Sequence, residues 1–274
     1  SVSSTMQITS AMKMVSAAKL KKAQDAITAM RPYSDKLTEL IQNLSSSIDG
    51  VTQNPYTEQR PVQNVLVLVI TSNRGLCGGF NSNVVKAVSK KISTVYANKK
   101  VSIVTLGKKG NDILQKNFEI ETNNNEIFDE LTFSNASAIA DLFMADFTSK
   151  KYDKIEVVYN RFKNAATQIV TTETLLPIVS EQDDQNVTGT DYIFEPTQVD
   201  IVQELLPKSI KMQLFKALRD SFASEHGARM TAMHKATDNA TELRDQLKLT
   251  YNQARQASIT NEILEIVGGA EALS

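Results

Sequence analysis

Tryptophan is absent from this chain of 274 residues, cysteine occurs once and histidine twice. A single thiol, Cys77, excludes an internal disulfide framework and suits a reducing compartment. His226 and His234 stand more than two helical turns apart, whereas two ligands for one ion want a four-residue step, so no metal is expected. No apolar run approaches the roughly 20 residues that span a bilayer, and no signal peptide is visible. The chain therefore reads as soluble and intracellular. Thirty basic against 31 acidic residues leave a net charge of −1, which removes the basic field of a nucleic-acid binder.

Helix breakers are scarce too. Only six prolines occur, none beyond Pro207, and from 111 to 267 the only glycines are Gly189 and Gly227. Long stretches without either residue point to long helices. Three blocks follow. In the first (1–50), Ile8, Met12, Val15, Ile27, Met30, Leu37, Ile41, Leu44 and Ile48 recur at steps of three, four or seven, a narrow coiled-coil-like stripe. Pro32 falls inside it and is expected to kink the helix.

The middle block (62–180) alternates. "NVLVLVI" (64–70) and "VSIVTL" (101–106) read as strands covered on both faces, with a helix over 83–96 between them. A second helix is predicted over 134–151, capped by Ser134. Then "KIEVVYNRF" (154–162) and "TQIVTTETLLPI" (167–178) read as an antiparallel hairpin. This is the pattern of a small α/β sheet domain. A connection at 181–206 follows, acidic and polar at its centre, "SEQDDQNVTGTD".

The last block (207–274) is the most informative. As one helix, 208–270 is about 95 Å long, against about 50 Å for a compact globule of this chain length. Such a helix must project from its own domain. The first block is the available partner, and the Ala- and Met-lined section "ARMTAMHKATDNA" (228–240) lets two helices approach closely. The sheet domain then sits as a side lobe on an antiparallel pair.

Chemistry is harder to find. "SNRGLCGGFN" (72–81) follows a strand and opens a helix, as phosphate-cradling loops do, but its glycines at 75, 78 and 79 do not make G-x-G-x-x-G. Phe80 and Asn81 stand where a P-loop carries Lys and Ser or Thr. "GKKG" (107–110) has the lysines without the loop, Cys77 has no base beside it in sequence, and Asp183 and Asp184 lie in polar surroundings. No catalytic, cofactor or metal residue is expected.

Both ends carry a resemblance. In "ARQASITNEILEIVGGAEAL", the run Ile259, Thr260, Glu262, Glu265, Gly269, Ala270 and Ala272 resembles the terminal signature of the gamma subunits of F-type ATP synthases. "ARMTAMHKATDNA", "QITSAMKMVSAAKLKKAQ" (7–24) and "SNRGLCGGFN" resemble further segments of that family in the right order. The family's first helix is expected to begin upstream of Ser1, and the cysteine-bearing insertion of chloroplast members is absent.

The resemblance implies a fold: a long antiparallel coiled coil of N- and C-terminal helices with a central Rossmann-like α/β domain. It also implies a rotor, turned by proton flow inside a ring of three alpha and three beta subunits that hold the nucleotides. The side domain would meet an epsilon-type (or mitochondrial delta-type) subunit and the c-ring. Membrane association would come only through the complex, at the cytoplasmic face of a bacterial inner membrane or the matrix side of a mitochondrial one. Met12, Arg229, Arg255, Gln256, Thr260 and Glu262 are implied at or near rotor–stator contacts. The cations of the first helix, Lys13, Lys19, Lys21, Lys22 and Arg31, would face an acidic loop of beta. The apolar tip, Ile259, Ile263, Leu264, Ile266, Val267 and Leu273, would turn in an apolar bearing. Two rival readings are a nucleotide-binding α/β module with helical arms and a static coiled-coil scaffold.

Overall fold

The computed structural model describes residues 1–47, 54–178 and 198–271. The connection centred on 181–197, together with Ile48 and Leu273, lies outside the described residues. In chain order the elements are α1 (Val2–Ser47), β1 (Asn64–Ile70), α2 (Phe80–Thr94), β2 (Lys100–Leu106), α3 (Lys108–Leu114), β3 (Ile120–Asn124), a 3-10 turn (Glu126–Phe128), α4 (Phe133–Thr148), β4 (Lys154–Phe162), β5 (Gln168–Leu176) and α5 (Gln198–Glu271).

The described strands form one five-stranded sheet in the order β3-β2-β1-β4-β5. The first four are parallel and β5 runs antiparallel against β4, so the lobe is doubly wound with a hairpin edge. β1 shows why its sequence is apolar throughout. Val65, Val67 and Val69 pack against Val84, Val85 and Val88 of α2 on one face. Leu66, Leu68 and Ile70 face the opposite way, into a core with α4 and with Ile210, Leu214, Phe215 and Leu218 of α5. Side chains alternate along a strand, and here both faces are covered. Lobe and C-terminal helix thus share one core.

Several boundaries differ from the sequence reading. The second lobe helix is capped by Thr132, not Ser134: the extended Thr132 accepts from the Asn135 N–H at 3.2 Å, while Ser134 is already helical. It ends at Thr148, and Lys150 adopts a left-handed backbone just beyond it. β5 stops ahead of Pro177, which has no N–H for the ladder.

α5 is 74 residues, about 111 Å at helical rise. It begins at Gln198, ahead of the expected start at 207, and takes Pro207 inside; α1 likewise runs through Pro32. Each proline removes one backbone hydrogen bond, and flanking packing by buried Leu206 and Ile210, or by Ser34 and Leu37, carries the helix across.

The stripe that joins α1 to α5 is Thr9, Ser16, Leu20, Ala23, Ile27, Ser34 and Leu37, all buried. Ile8 and Val15 were expected in that seam. They lie one position off it, at 60% and 57% exposure, because the steps 9, 16, 23 and 20, 27, 34 put smaller and polar residues on the inner line. Thr9 and Thr237 meet hydroxyl to hydroxyl at 2.8 Å across the pair, and Thr241 donates to the Met6 sulfur at 3.3 Å. Ile41 and Leu44 fall outside the described side chains.

Candidate functional site

Two regions of the shaft matter: its far end, and the junction where the lobe is fastened to it. From Asp245 to Ala270 every residue of α5 is exposed within this chain. Arg255, Gln256, Thr260 and Glu262 lie there, as do Ile259, Leu264 and Ile263. Ile266 and Val267 are 68% and 51% exposed. An apolar cluster of this kind in water is a liability that marks a contact surface. On α1, Met12 and Lys13 are half-buried and Lys19 is exposed.

Arg229 is placed differently. Its guanidinium is buried inside the chain, where Nη1 donates to Glu225 Oε1 at 2.6 Å and Nη2 donates to the carbonyl oxygens of Arg74 and Gly75 at 3.0 and 3.2 Å. It therefore works as a strap between α5 and the 71–79 loop, not as an outward-facing group. Burial pushes the Glu225 carboxyl up, while Arg229 and more distant Lys19 pull it down.

The loop itself is closed by its own polar groups. Ser72 Oγ donates to the Arg74 carbonyl at 2.6 Å, the Ser72 N–H donates to Asn81 Oδ1 at 3.0 Å, and Asn81 Nδ2 returns a bond to Ser72 Oγ at 2.8 Å. Cys77 is buried against Phe80 and Ala228. Burial pushes its thiol up, away from the thiolate needed by a nucleophile. Toward α5 the loop presents carbonyl oxygens neutralised by a cation, whereas a phosphate cradle presents N–H donors. In "GKKG", a Cβ on Gly107 would sit 2.1 Å from the Thr71 carbonyl oxygen, and the Gly110 N–H donates to Thr71 Oγ1 at 2.8 Å. Those glycines serve a close strand-to-helix turn.

Further straps secure the lobe at other heights. Gln213 Nε2 reaches Glu173 and the Thr174 carbonyl, both at 3.3 Å, and Arg219 Nη2 donates to the Leu131 carbonyl at 2.6 Å. Thr231 Oγ1 donates to the Ala165 carbonyl at 3.1 Å. Beside them Gly227 lets the β4–β5 turn come close, since a Cβ there would stand 3.1 Å from Ala165 Cα. The i,i+4 spacing of Glu225 and Arg229 was visible in the sequence; the loop carbonyls that complete the site carry no side-chain signature. His226 is buried edge-on to Phe222, ring centroids 4.5 Å apart, with neither ring nitrogen hydrogen-bonded, and burial pushes it down to about 4. His234 lies exposed on α5, 3.3 Å from Asp238. Among the described residues, no group of three or more His, Cys, Asp or Glu side chains is placed to hold a metal ion.

The fold and junction define a shaft protein: two antiparallel helices, one far longer than the lobe is wide, with an α/β body fastened to their side. Comparison with known proteins gives this shape a family. The family model described as ATP synthase matches residues 1–273. The ATP synthase gamma chain of Christiangramia forsetii is 66% identical over 274 residues, covering all of this chain and 96% of that one. That of Flavobacterium johnsoniae is 65% identical with the same coverage. In fold, the chain resembles a central-stalk and c-ring structure of the Tetrahymena thermophila mitochondrial ATP synthase, with a TM-score of 0.62 and 24% identity over 84% of this chain and 99% of that one. A Euglena gracilis mitochondrial ATP synthase structure aligns over 96% of this chain and 95% of its own, with a TM-score of 0.60 and 21% identity. This chain belongs to the ATP synthase family, among its gamma chains.

Proposed function

We propose that this gamma chain is the central-stalk rotor of a proton-translocating F-type ATP synthase. Its shaft turns inside a hexamer of three alpha and three beta subunits, and its lobe links that shaft to an epsilon-type subunit and the c-ring. The observation that carries this reading is α5, whose 74 residues run about 111 Å and end in an exposed apolar face. A stiff rod can transmit rotation; its apolar end needs a sleeve. Chemistry then belongs to the alpha and beta partners, and this chain is a non-catalytic subunit. Among the described residues no helix is long and apolar enough to cross a membrane. The bacterial sources of the two gamma chains compared above favour attachment, through the complex, at the cytoplasmic face of the inner membrane.

Met12, Lys13, Lys19, Arg255, Gln256, Thr260 and Glu262 are proposed as contacts with the ring. Met12→Lys adds a cation at one such contact and is expected to lower the coupling of ATP hydrolysis to proton pumping more than it lowers assembly. The decisive experiment fixes the ring to a surface and a bead to the lobe. Stepwise rotation on ATP addition is expected, with no ATP hydrolysis by the purified chain alone. A bead that stays still while the complex hydrolyses ATP would leave a static scaffold; hydrolysis by the chain alone would make it an enzyme.

A further inference from the structure

Where the β4–β5 turn meets α1 and α5, a cleft of about 600 Å³ opens at the base of the shaft. Its wall carries four cations from three separate elements: Arg31 of α1, Arg161 and Lys163 at the end of β4, and Lys216 of α5. Among the described residues, the one carboxylate lining it is Asp220, buried on the neighbouring turn of α5. Among the described residues, none of the four cations is in salt-bridge contact with a carboxylate. Elsewhere on the lobe lysines do pair, as Lys91 and Lys154 do with buried Glu156.

Cations drawn together from α1, a strand end and α5 repel one another, and a single carboxylate does not offset four of them. An anion with several charges in a row satisfies them together. Phe162, half-buried beside Arg161, supplies apolar surface to the cleft lining. The volume falls within the range of small-molecule sites.

We propose that this cleft binds a polyphosphate anion, inorganic or nucleoside, which clamps α1, α5 and the β4–β5 hairpin together. This site is separate from the glycine loop and from the far end of the shaft. Arg31, Arg161 and Lys163 grip the phosphate chain from the open side and Lys216 from the wall. Asp220 opposes the ligand from within, and its carboxyl is held up at about 6 by burial against the pull of Lys216 and Arg31.

The test is calorimetric titration of the purified full-length chain with pyrophosphate and, separately, with ATP, both in excess EDTA so that no metal bridges. Saturable one-to-one binding that weakens steeply with salt is expected. Arg161→Ala with Lys163→Ala should weaken it by at least about tenfold, the scale of one lost charge-assisted contact. Both side chains are exposed, so the unliganded melting temperature should not move. Asp220→Asn, which removes the opposing charge, should tighten binding. Equal affinity for the two ligands assigns the phosphate chain alone as the ligand; tighter ATP binding assigns a nucleoside on Phe162. No saturable binding of either, or binding unchanged in the double variant, would overturn the proposal. Capture of a polyglutamate peptide with neither polyphosphate bound would also overturn it, in favour of an acidic protein segment.

Discussion

Arg229 and Gly75 lie 154 positions apart in the chain and meet at 3.2 Å, guanidinium to carbonyl, with Glu225 holding the other side of the same cation. One buried side chain thereby joins the long helix, its own preceding turn and the loop that leads from β1 to α2.

Removing that cation leaves Glu225 buried and unpaired and strips the Arg74 and Gly75 carbonyls of their donor. Breaking one member of a buried pair typically costs about 3–5 kcal/mol. Arg229→Ala is expected to lose stability on that scale in urea unfolding, with Glu225→Gln less damaging and the double change losing less than the sum. Additive losses would show that the two side chains do not act together.

Asp220 gives a pH dependence with a definite sign. Its carboxyl is pushed up to about 6 in the folded chain from an ordinary 3.8, chiefly by burial. The folded state therefore binds the extra proton between those values, and wild type gains stability as pH falls from about 6 to about 4. Asp220→Asn is expected to be more stable at pH 7.5, by about 2–3 kcal/mol for a shift of this size. The advantage should disappear near pH 4 in thermal melts taken across the range.

His226 acts in the opposite direction. Burial beside Phe222, with Arg229 and Lys19 nearby, holds it down to about 4 from 6.5. The unfolded chain protonates first, so the stability this group contributes above pH 6.5 is lost as pH falls toward 4. His226→Phe should flatten the melting-temperature profile through that window; an unchanged slope would show that the ring is hydrated in solution.

At the far end the prediction concerns assembly. Ile263 and Ile266 are exposed and touch nothing that holds the lobe together. Ile263→Asp with Ile266→Asp should leave the melting temperature of the isolated chain within about 1 °C, since exposed substitutions shift stability little. Recovery of an alpha–beta–gamma complex on size-exclusion chromatography should fall sharply.

The shaft was legible because length is one-dimensional information: a run of such extent with no proline beyond Pro207 and few glycines has nowhere to fit inside a domain of this size. β1, β2, β4 and β5 were legible because apolar β-branched runs have few other homes. β3 and α3 were not. "IETNN" is a polar edge strand, and "KKGNDIL" offers too few apolar positions to show a period. The seam was half legible: Ile27 and Leu37 were placed correctly, but hydrophobicity favoured Ile8 and Val15 over Thr9 and Ser16. Close helix approach rewards small side chains, and a Thr hydroxyl can be satisfied across the pair. The intrachain role of Arg229 was not legible for a related reason, since two of its partners are backbone carbonyls, to which residue type is blind.

Among the described residues, the sharing of one hydrophobic core by β1, α4 and α5, with side-chain straps at Gln213, Arg219, Arg229 and Thr231, leaves no slip plane between body and rod. A sideways push on the rim of the body acts through a lever arm, and with nothing able to swivel the whole moment reaches the helices. Gearing, if this machine has any, must reside in the partners, because this part has been built as a crank.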